Sequence, residues 1–419
     1  MKKLSITLIL LIALASMMTF SSCQKTDIKK IQFYEYVFGT ETTRQMPLNA
    51  TLYGKDSQTL NKAKAEIIYT LKGMNTELNT VDENSVIYEF NQYGTNQDEP
   101  FDPKKRFYVS EHVYHMLTTA KNLYENDSGN IDGLEFNANE YFNPAIYPLM
   151  ELWKLDSLSL RDDDLDNDNE RDSVPTTEQI TDTLPIIDFK LVKFGKDTDD
   201  KYYITKDQRD VKIDFGGQAK GYGTDLAVEI CKKYNLSAAI INISGNVYVY
   251  KSKPISNEQV TKWTVGIDMP IESKDKFCAL KLDDISIVTS GDYNRFFIYD
   301  GTKYAHILNP KTGYPLNIIR NHQTPEGENP DKYYEEGLIS VTIINKNSEL
   351  ADIYAKIVML LGMENGVKYM IQNNLSGVLI SNDMRYAAVG ELEQMDINGA
   401  NGYKEYEPYV DNNGVEYSF

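Results

Sequence analysis

The amino-acid sequence predicts an α+β fold in which mixed sheets are flanked by helices. Residues 59–80 and 110–125 carry apolar residues at helical spacing. Residues 238–250 and 285–308 are rich in β-branched and aromatic residues, which favour strands. Both patterns recur along the chain and no internal repeat is visible, so we expect helices packed against sheets.

The N-terminal half is expected to begin with a β-hairpin over residues 33–53. A helix follows over 59–80, where Ile67 and Leu71 fall on one apolar face. A second helix is expected over 110–125.

The C-terminal half is expected to contain a longer series of elements. The first are a short strand at Val211–Asp214, a glycine-rich segment over 215–223 that opens a helix, and a strand over 238–250. They are followed by a strand and a hairpin over 285–308, with the turn at Asp300-Gly301, by a strand at Ser340–Ile344, and by a helix from Asn347 or Ser348 to Leu361. Gly362 is expected to end that last helix, because glycine commonly follows a helix C-terminus.

Composition excludes some classes of function. The 419 residues include 43 Lys and Arg against 62 Asp and Glu, so the formal net charge is −19. Nucleic acid is therefore not expected as a partner, because phosphate backbones are bound through clustered basic residues. Three cysteines are too few for a disulfide scaffold, and no Cys/His cluster suggests zinc.

The N-terminus predicts where the protein resides. Lys2-Lys3 precede an apolar stretch of about a dozen residues, too short for a bilayer span, and Cys23 closes the segment. The segment resembles a bacterial lipoprotein signal. It predicts a signal peptide over 1–22, a lipidated tether over 23–32, and a protein anchored in the cell envelope that faces the periplasm. An ordinary cleaved signal with a chance cysteine is the alternative.

An acidic insertion is expected near residues 156–185. Residues 161–172 hold seven acidic residues and two arginines. A calcium-binding EF-hand loop needs Gly at its sixth position and Glu at its twelfth, and neither occurs in register. The segment is therefore interpreted as a solvated, partly disordered insertion.

A glycine turn at Asp214–Gly221 is the first candidate site. Its glycines allow backbone N–H groups to approach an anion, the following helix N-terminus is partly positive, and Lys220 adds a full charge. The spacing matches neither the Walker A nor the GxGxxG motif, so a generic tight turn is an equal alternative. His306, in a later strand before a Pro- and Gly-rich loop, is a second candidate, although a lone histidine is more often structural.

Four blocks of sequence, in the same order, resemble the ApbE-type FAD:protein FMN transferases. They are Asp214–Tyr222, Thr289–Phe297, His306–Pro315, and Ser340–Ile344 followed by Leu350–Ala355. Weaker similarities are found at Phe38–Thr40, at Asn84–Asn91 and at Phe142–Trp153. The resemblance covers nearly all of residues 33–375 apart from the acidic insertion, and implies an ApbE-like (T-fold-like) domain over 33–419.

The resemblance also implies an activity. Members of the family split the pyrophosphate of FAD and join FMN through a phosphodiester to a threonine or serine of a partner protein, with release of AMP. They require Mg²⁺, and some members instead hydrolyse FAD. The partners are membrane-associated redox proteins, which agrees with a lipid anchor.

Individual roles follow from the positions that match the family. His306 is the expected base for the acceptor hydroxyl, and its ordinary pKa of about 6.5 would suit that role at neutral pH. Gly216 and Lys220 are expected to hold the pyrophosphate. Other expected contacts to FAD come from Phe38, Asn91, Asn143, Asp214 and Leu308. Gly217, through its carbonyl, and Asp352 are the expected metal ligands.

The chain departs from the family where Lys356 replaces a threonine that binds magnesium. An ammonium cannot ligate a hard cation. Lys356 could form a simple i,i+4 ion pair with Asp352, or its ammonium could occupy the metal position and bind the pyrophosphate. Alternatively, metal binding and turnover are lost while FAD binding remains. Asn309 and Asn143 also replace acidic residues of the family.

Three functional hypotheses therefore remain. The first is a flavin transferase, in which Asp352 and Lys356 take part in the chemistry. The second is an FAD-binding lipoprotein, or an FAD pyrophosphatase, without transfer. The third is a structural lipoprotein that has lost flavin.

Overall fold

The computed structural model describes most of the chain after its N-terminal segment. The described residues are 27–40, 45–131, 134–155, 171–256, 259–270, 275–292, 295–300, 302–319, 337–383, 385–390, 392, 394–396, 404–405, 409–410 and 416–417. The predicted signal peptide (1–22), the lipidation site Cys23 and the acidic run over 156–170 lie outside them.

The described residues form seven α-helices and 24 strands. The helices are α1 (Ser57–Leu78), α2 (Val86–Gln92), α3 (Glu111–Asn126), α4 (Tyr147–Leu152), α5 (Thr177–Thr183), α6 (Ala219–Lys233) and α7 (Ser348–Gln372). The strands are β1 (Lys29–Phe38), β2 (Met46–Gly54), β3 (Phe107–Tyr108), β4 (Ser128–Ile131), β5 (Leu134–Asn137), β6 (Val192–Lys196), β7 (Tyr202–Lys206), β8 (Ala238–Ile243), β9 (Asn246–Tyr250), β10 (Lys253–Pro254), β11 (Val260–Thr261), β12 (Trp263–Asp268), β13 (Lys276–Leu282), β14 (Ile285–Gly291), β15 (Phe296–Tyr299), β16 (Thr302–Leu308), β17 (Pro315–Ile319), β18 (Leu338–Asn345), β19 (Ser376–Ser381), β20 (Arg385–Val389), β21 (Gln394–Asp396), β22 (Lys404–Glu405), β23 (Tyr409–Val410) and β24 (Glu416–Tyr417).

A nine-stranded sheet organises the fold, with strand order β1-β2-β8-β9-β14-β18-β19-β20-β22. Neighbouring strands are antiparallel except for the last pair. The predicted N-terminal hairpin is confirmed, since Phe33 pairs with Ala50. The α+β prediction is confirmed as well, because helices pack against this mainly antiparallel sheet.

The sheet is covered on both faces. Helices α1, α6 and α7 pack on one face, and their apolar side chains, such as Ile67 and Ile353, join the larger core. The small sheet β12-β13-β21 contributes Trp263, Phe277 and Leu280 to a second core with other residues of the large sheet. Because both faces of the sheet are covered, seven of the eight residues of the central strand β18 are buried, and they include Ser340 and Thr342. None of the helices in the described part of the chain has the length and apolar character that a membrane span requires.

Three sequence-based expectations about secondary structure are wrong. The expected single strand over 238–250 is a hairpin, because Ser244 and Gly245 have φ of 47° and 94° and turn the chain tightly. Val211–Asp214 is not a strand, because its backbone is held by a side chain: Ile213 N–H donates to Asn91 Oδ1 at 2.8 Å, and Asn91 Nδ2 donates to the Ile213 carbonyl at 2.9 Å.

The third wrong expectation is that Gly362 ends helix α7. Gly362 has a φ of 79° and kinks the helix, but helical structure resumes and continues to Gln372. Gly366 packs closely against Val358 on the other side of the kink, and Leu361 and Met363 are both buried. Packing of the second segment therefore prevails over the helix-ending tendency of glycine.

Lys206, at the end of β7, is a buried lysine outside the candidate site. Its Nζ donates to the Val211 carbonyl at 3.0 Å and lies 5.1 Å from the centre of the Phe90 ring. Burial, and to a smaller extent the charge of the nearby Lys212, lower its pKa to about 7, whereas Asp210 and Glu151 act in the opposite direction. Between pH 7 and 10.5 the folded state therefore binds fewer protons at this group than the unfolded state.

The free energy of unfolding is consequently expected to rise with pH in this window, by at most about 1.4 kcal/mol per pH unit. Lys206→Met keeps the packing and removes the titrating group, so the variant should lack this rise. Urea unfolding of both proteins at pH 7, 8 and 9 measures the two slopes. Equal slopes would show that Lys206 is protonated in the folded protein throughout.

Candidate functional site

A cavity of about 270 Å³ lies where the loop before α6, the end of β14, strand β16 and helix α7 meet. Its charged and polar lining includes Asp214, Lys220, Arg295, His306 and Lys356. Its apolar lining comes from Met46, Phe142, Ile146, Met150, Leu155, Leu308 and Leu360. A pocket lined by both positive charges and apolar side chains suits a ligand with an anionic part and a ring system.

The glycine turn forms the wall nearest to α6. Gly216 N–H donates to Asp214 Oδ1 at 2.7 Å, which fixes the turn. A Cβ added to Gly217 would lie 2.9 Å from the Phe142 ring, with the Lys356 side chain 3.8 Å away. A side chain at position 217 would therefore meet the Phe142 ring, which explains the glycine there. The predicted binding of an anion by the backbone of the turn stays a prediction.

Asp352, on α7, contacts two cationic side chains of the site. Its carboxylate accepts hydrogen bonds from Lys220 Nζ at 3.3 Å, Lys356 Nζ at 2.5 Å, Asn246 Nδ2 at 2.8 Å and the Gly221 N–H at 3.0 Å. Burial alone would raise the pKa of Asp352, but the two ammonium groups and the hydrogen bonds hold it below its ordinary value. The carboxylate is therefore ionised and buried beside two lysines.

Lys356 lies one helical turn after Asp352. Its Nζ also donates to the Asp352 carbonyl at 3.0 Å, so a single residue holds the ammonium through two oxygens. Burial lowers the pKa of Lys356 to about 8, although the Asp352 carboxylate favours the charged form. The ammonium is thus positioned at the cavity wall rather than extended into solvent, and a surface-type ion pair does not describe it.

His306, in strand β16, places an imidazole at the cavity. Its Nδ1 lies 3.1 Å from the Arg295 carbonyl oxygen. A carbonyl only accepts, so Nδ1 is assigned the proton and Nε2 keeps its lone pair. Burial lowers the pKa of His306, and the charges of Arg295, Lys220 and Lys356 lower it further, to about 3. The expected ordinary pKa near 6.5 is therefore wrong for this histidine, which is neutral at neutral pH.

Most of the predicted site residues line this one cavity. They are Asn143, Asp214, Gly216, Gly217, Lys220, His306, Leu308 and Lys356, and Asp352 contacts two of them from α7. Asn143 uses its side-chain amide locally, donating to the Ile187 carbonyl at 2.5 Å and accepting from the Ala145 N–H at 2.8 Å. The roles assigned to these residues stay predictions.

Phe38 and Asn91 do not line the cavity. Phe38 is buried against α6, where it packs beside Gly223. Asn91 is fully buried and holds the backbone of Ile213, just before Asp214. Both residues therefore support the elements that carry the site, and their predicted contacts to FAD stay predictions.

Two further residues take part in the site and were given no role from the sequence. Arg295 lines the cavity and provides the carbonyl that orients His306. Asn246, the first residue of β9, donates to Asp352. Its sequence signal is a polar residue directly after the Ser244-Gly245 turn, at the start of an otherwise apolar strand.

The close crossing of α6 and α7 brings Lys220 to Asp352. A Cβ added to Gly221 would lie 2.3 Å from the Ser348 carbonyl oxygen, which belongs to the backbone and cannot move aside. We expect Gly221→Ala to lower the free energy of unfolding by about 1–3 kcal/mol or more, because the helices must separate.

Gly73→Ala, in helix α1, is the matched control for this variant, because a Cβ added to Gly73 would have no other atom within 4 Å. It should be neutral or stabilise the protein by roughly 0.5–1 kcal/mol. Chemical denaturation measures both variants. Equal stabilities for the two would contradict the tight crossing.

Among the described residues, no group of three or more His, Cys, Asp or Glu side chains could hold a metal ion. The expected ligand Asp352 has both carboxylate oxygens engaged by nitrogen donors, and one of them is the Lys356 ammonium. The arrangement is suited to binding an anion through fixed positive charges beside a neutral imidazole. The negative charge of a bound anion would offset the nearby cations and raise the low pKa of His306 towards the range of a general base.

Comparisons with known proteins agree with this geometry. The ApbE family model matches residues 38–379. The FAD:protein FMN transferase of Vibrio cholerae is 24% identical over 371 residues, which cover 88% of this chain and 92% of that protein. The enzyme of the same name from Haemophilus influenzae is 25% identical over 373 residues, covering 88% and 91%.

Solved structures are also similar. The flavin transferase ApbE from Vibrio cholerae has a TM-score of 0.61 at 19% identity and covers 90% of this chain and 100% of its own. The ApbE protein of Thermotoga maritima has a TM-score of 0.61 at 22% identity, with the same coverage. These similarities confirm the expected ApbE-like fold.

Proposed function

The chain belongs to the ApbE family, and from this premise we propose that it is an FAD:protein FMN transferase. The observation that carries the proposal is the cavity itself, which is lined by Lys220, Arg295 and Lys356 together with a neutral His306. Transfer of FMN from FAD requires a site for a doubly charged pyrophosphate beside a group that accepts a proton. The cavity supplies both.

The reaction breaks one bond and forms one. The oxygen of a threonine or serine hydroxyl on the acceptor protein attacks the phosphorus of the FMN half of FAD. The bond between this phosphorus and the bridging oxygen breaks, and AMP leaves with the electron pair. The hydroxyl proton goes to Nε2 of His306, the ring nitrogen that keeps its lone pair.

The charged residues of the cavity stabilise the charge that develops during this step. The Lys220 and Lys356 ammonium groups and the Arg295 guanidinium supply positive charge for the pyrophosphate and for the leaving AMP. The backbone of Gly216 and Gly217 lies against the same space. Apolar residues such as Leu308 would face the flavin ring.

Magnesium, which the family resemblance implies, does not fit the residues present. Mg²⁺ requires about six oxygen ligands in near-octahedral geometry. The carboxylate of Asp352 instead carries four nitrogen donors, including an ammonium at 2.5 Å. No step of the proposed reaction is therefore assigned to a metal ion.

The N-terminal sequence supports a location for the reaction. Lipidation of Cys23 would anchor the protein to the membrane of the cell envelope, facing the periplasm. An acceptor anchored in the same membrane, such as a redox protein that carries its flavin outside the cytoplasm, would then be within reach. The net charge of −19 disfavours a nucleic acid in this role.

In-gel flavin fluorescence tests the proposal. The purified protein is incubated with FAD and an acceptor that carries a threonine in its flavinylation segment, with a Thr→Ala acceptor as the control. Covalent fluorescence on the threonine acceptor alone, with an equal amount of AMP, is the expected result. Release of AMP without label would indicate an FAD pyrophosphatase, and bound but intact FAD would indicate a flavin-binding lipoprotein. Either would overturn the proposal.

A further inference from the structure

We infer that the Lys356 ammonium takes the place of a divalent cation at the pyrophosphate of FAD, so that this chain transfers FMN without a metal ion. The inference rests on the proposed function and concerns the same cavity. It follows from the position of one side chain and from the charges around it.

The position is fixed by the helix. Lys356 Nζ is held by Asp352 Oδ1 at 2.5 Å and by the Asp352 carbonyl at 3.0 Å, both on the preceding turn of α7. An ammonium has three N–H donors, so these two bonds leave a third donor. Because Lys356 also lines the cavity, this donor is available to a phosphate oxygen of a ligand bound there.

The side chain also occupies the space beside the glycine turn. A Cβ added to Gly217 would lie 3.8 Å from the Cδ of Lys356 and 2.9 Å from the Phe142 ring. The turn, the lysine and the carboxylate of Asp352 therefore form one packed unit. A hydrated cation could enter it only if the lysine moved away.

The charge balance supports the same conclusion. Asp352 carries one negative charge and contacts two ammonium groups, so this cluster has one positive charge in excess. Arg295 adds a third cation and Asp214 a second carboxylate, so these five groups together keep one positive charge in excess. The cationic side chains of the cavity can therefore stabilise the negative charges of a pyrophosphate in the absence of a divalent ion.

The chemical step remains balanced without a metal. The acceptor oxygen forms its bond to the FMN phosphorus, and the bond to the AMP phosphate breaks. The proton moves to His306, and the electron pair stays on AMP, where the ammonium groups of Lys220 and Lys356 stabilise the new charge. No oxidant or reductant is involved.

The test compares three proteins in excess EDTA and in excess MgCl₂. They are the unchanged chain, Lys356→Thr, and Lys121→Met, which removes the lysine of an exposed i,i+4 pair on α3 as the control. We expect the unchanged chain and the control to label the acceptor equally in both conditions. In EDTA, the transfer rate of Lys356→Thr should be roughly 10- to 100-fold lower than that of the unchanged chain, which is the effect of losing one hydrogen bond from a charged group. Addition of MgCl₂ should restore part of the transfer rate of this variant.

FAD affinity gives a second readout that does not depend on turnover. Fluorescence titration should give the same Kd for the unchanged chain with EDTA and with MgCl₂, whereas Lys356→Thr should bind FAD more tightly when MgCl₂ is present. An unchanged chain that labels the acceptor, or binds FAD tightly, only in MgCl₂ would overturn the inference. Absence of transfer in all conditions, with metal-independent FAD binding, would instead contradict the proposed transferase and leave the lysine assignment standing.

Discussion

Replacing Asp352 is expected to abolish FMN transfer. Asp352→Ala removes the carboxylate that Lys220 and Lys356 share and leaves two largely buried ammonium groups without a counter-charge. An uncompensated buried charge costs about 3–5 kcal/mol, and the lysines would relieve this by moving apart or losing a proton. Either change removes the cations from the pyrophosphate. In-gel flavin fluorescence should therefore fall by at least about 100-fold, the range seen when preorganised charge is lost from an active site.

Asp352→Asn separates this effect from a loss of folding, because it keeps the size of the side chain. It should also be inactive, and circular dichroism should show a folded protein. Glu364→Gln, which neutralises an exposed carboxylate paired with the buried Lys368 one turn later on the same helix, is the control that should retain full transfer. If Asp352→Asn transfers FMN at the unchanged rate, the carboxylate has no role in the chemistry.

Replacing His306 is expected to give the second large effect. His306→Gln keeps a side chain of similar reach but cannot accept the hydroxyl proton, so the rate of transfer should fall by about 10²–10⁴-fold. FAD should still bind, because the cations of the cavity remain. Transfer assays and FAD titration on the same preparation measure the two effects separately.

His112→Gln is the matched control, since His112 bonds to the Tyr222 hydroxyl and does not line the cavity. The pH dependence adds an independent check. Because the pKa of His306 is lowered to about 3, kcat/KM, which reports the free enzyme, should show no inflection near pH 6.5 from this group. Loss of an inflection near pH 6.5 on mutation of His306 would contradict the lowered pKa.

Much of the fold could be predicted from local patterns. The periodicity of α1 and α3 and the strand composition of β1 and β2 reflect burial on one face, which the sequence records directly. The glycine turn was recognisable because close backbone packing requires glycine, as the contact between Gly217 and Phe142 shows.

Other features depend on contacts between distant parts of the chain. The extended backbone before Asp214 bonds to Asn91, which lies 122 residues earlier than Ile213, so no local pattern predicts it. Helix α7 continues beyond Gly362 because its second segment is buried. The pKa of His306 is lowered by burial and then by the charges of Arg295 and of lysines on α6 and α7, and these groups come together only in the folded chain.

The central site was therefore predictable in part. Sequence motifs identified Lys220, His306 and Asp352 as candidates, and the fold brings them to one cavity. The position of the Lys356 ammonium could not be decided from its spacing to Asp352, because an i,i+4 pair can equally lie on the surface. The burial of both partners distinguishes the two cases.

The proposed transfer depends on binding of the FAD pyrophosphate in this cavity. Isothermal titration calorimetry with FAD, and in parallel with riboflavin, tests it most directly, because riboflavin keeps the ring system and lacks both phosphates. Because the cations around Asp352 can bind the phosphates, we expect FAD to bind at least about 10-fold more tightly than riboflavin. Equal affinities for the two ligands, or no heat with FAD, would contradict the account.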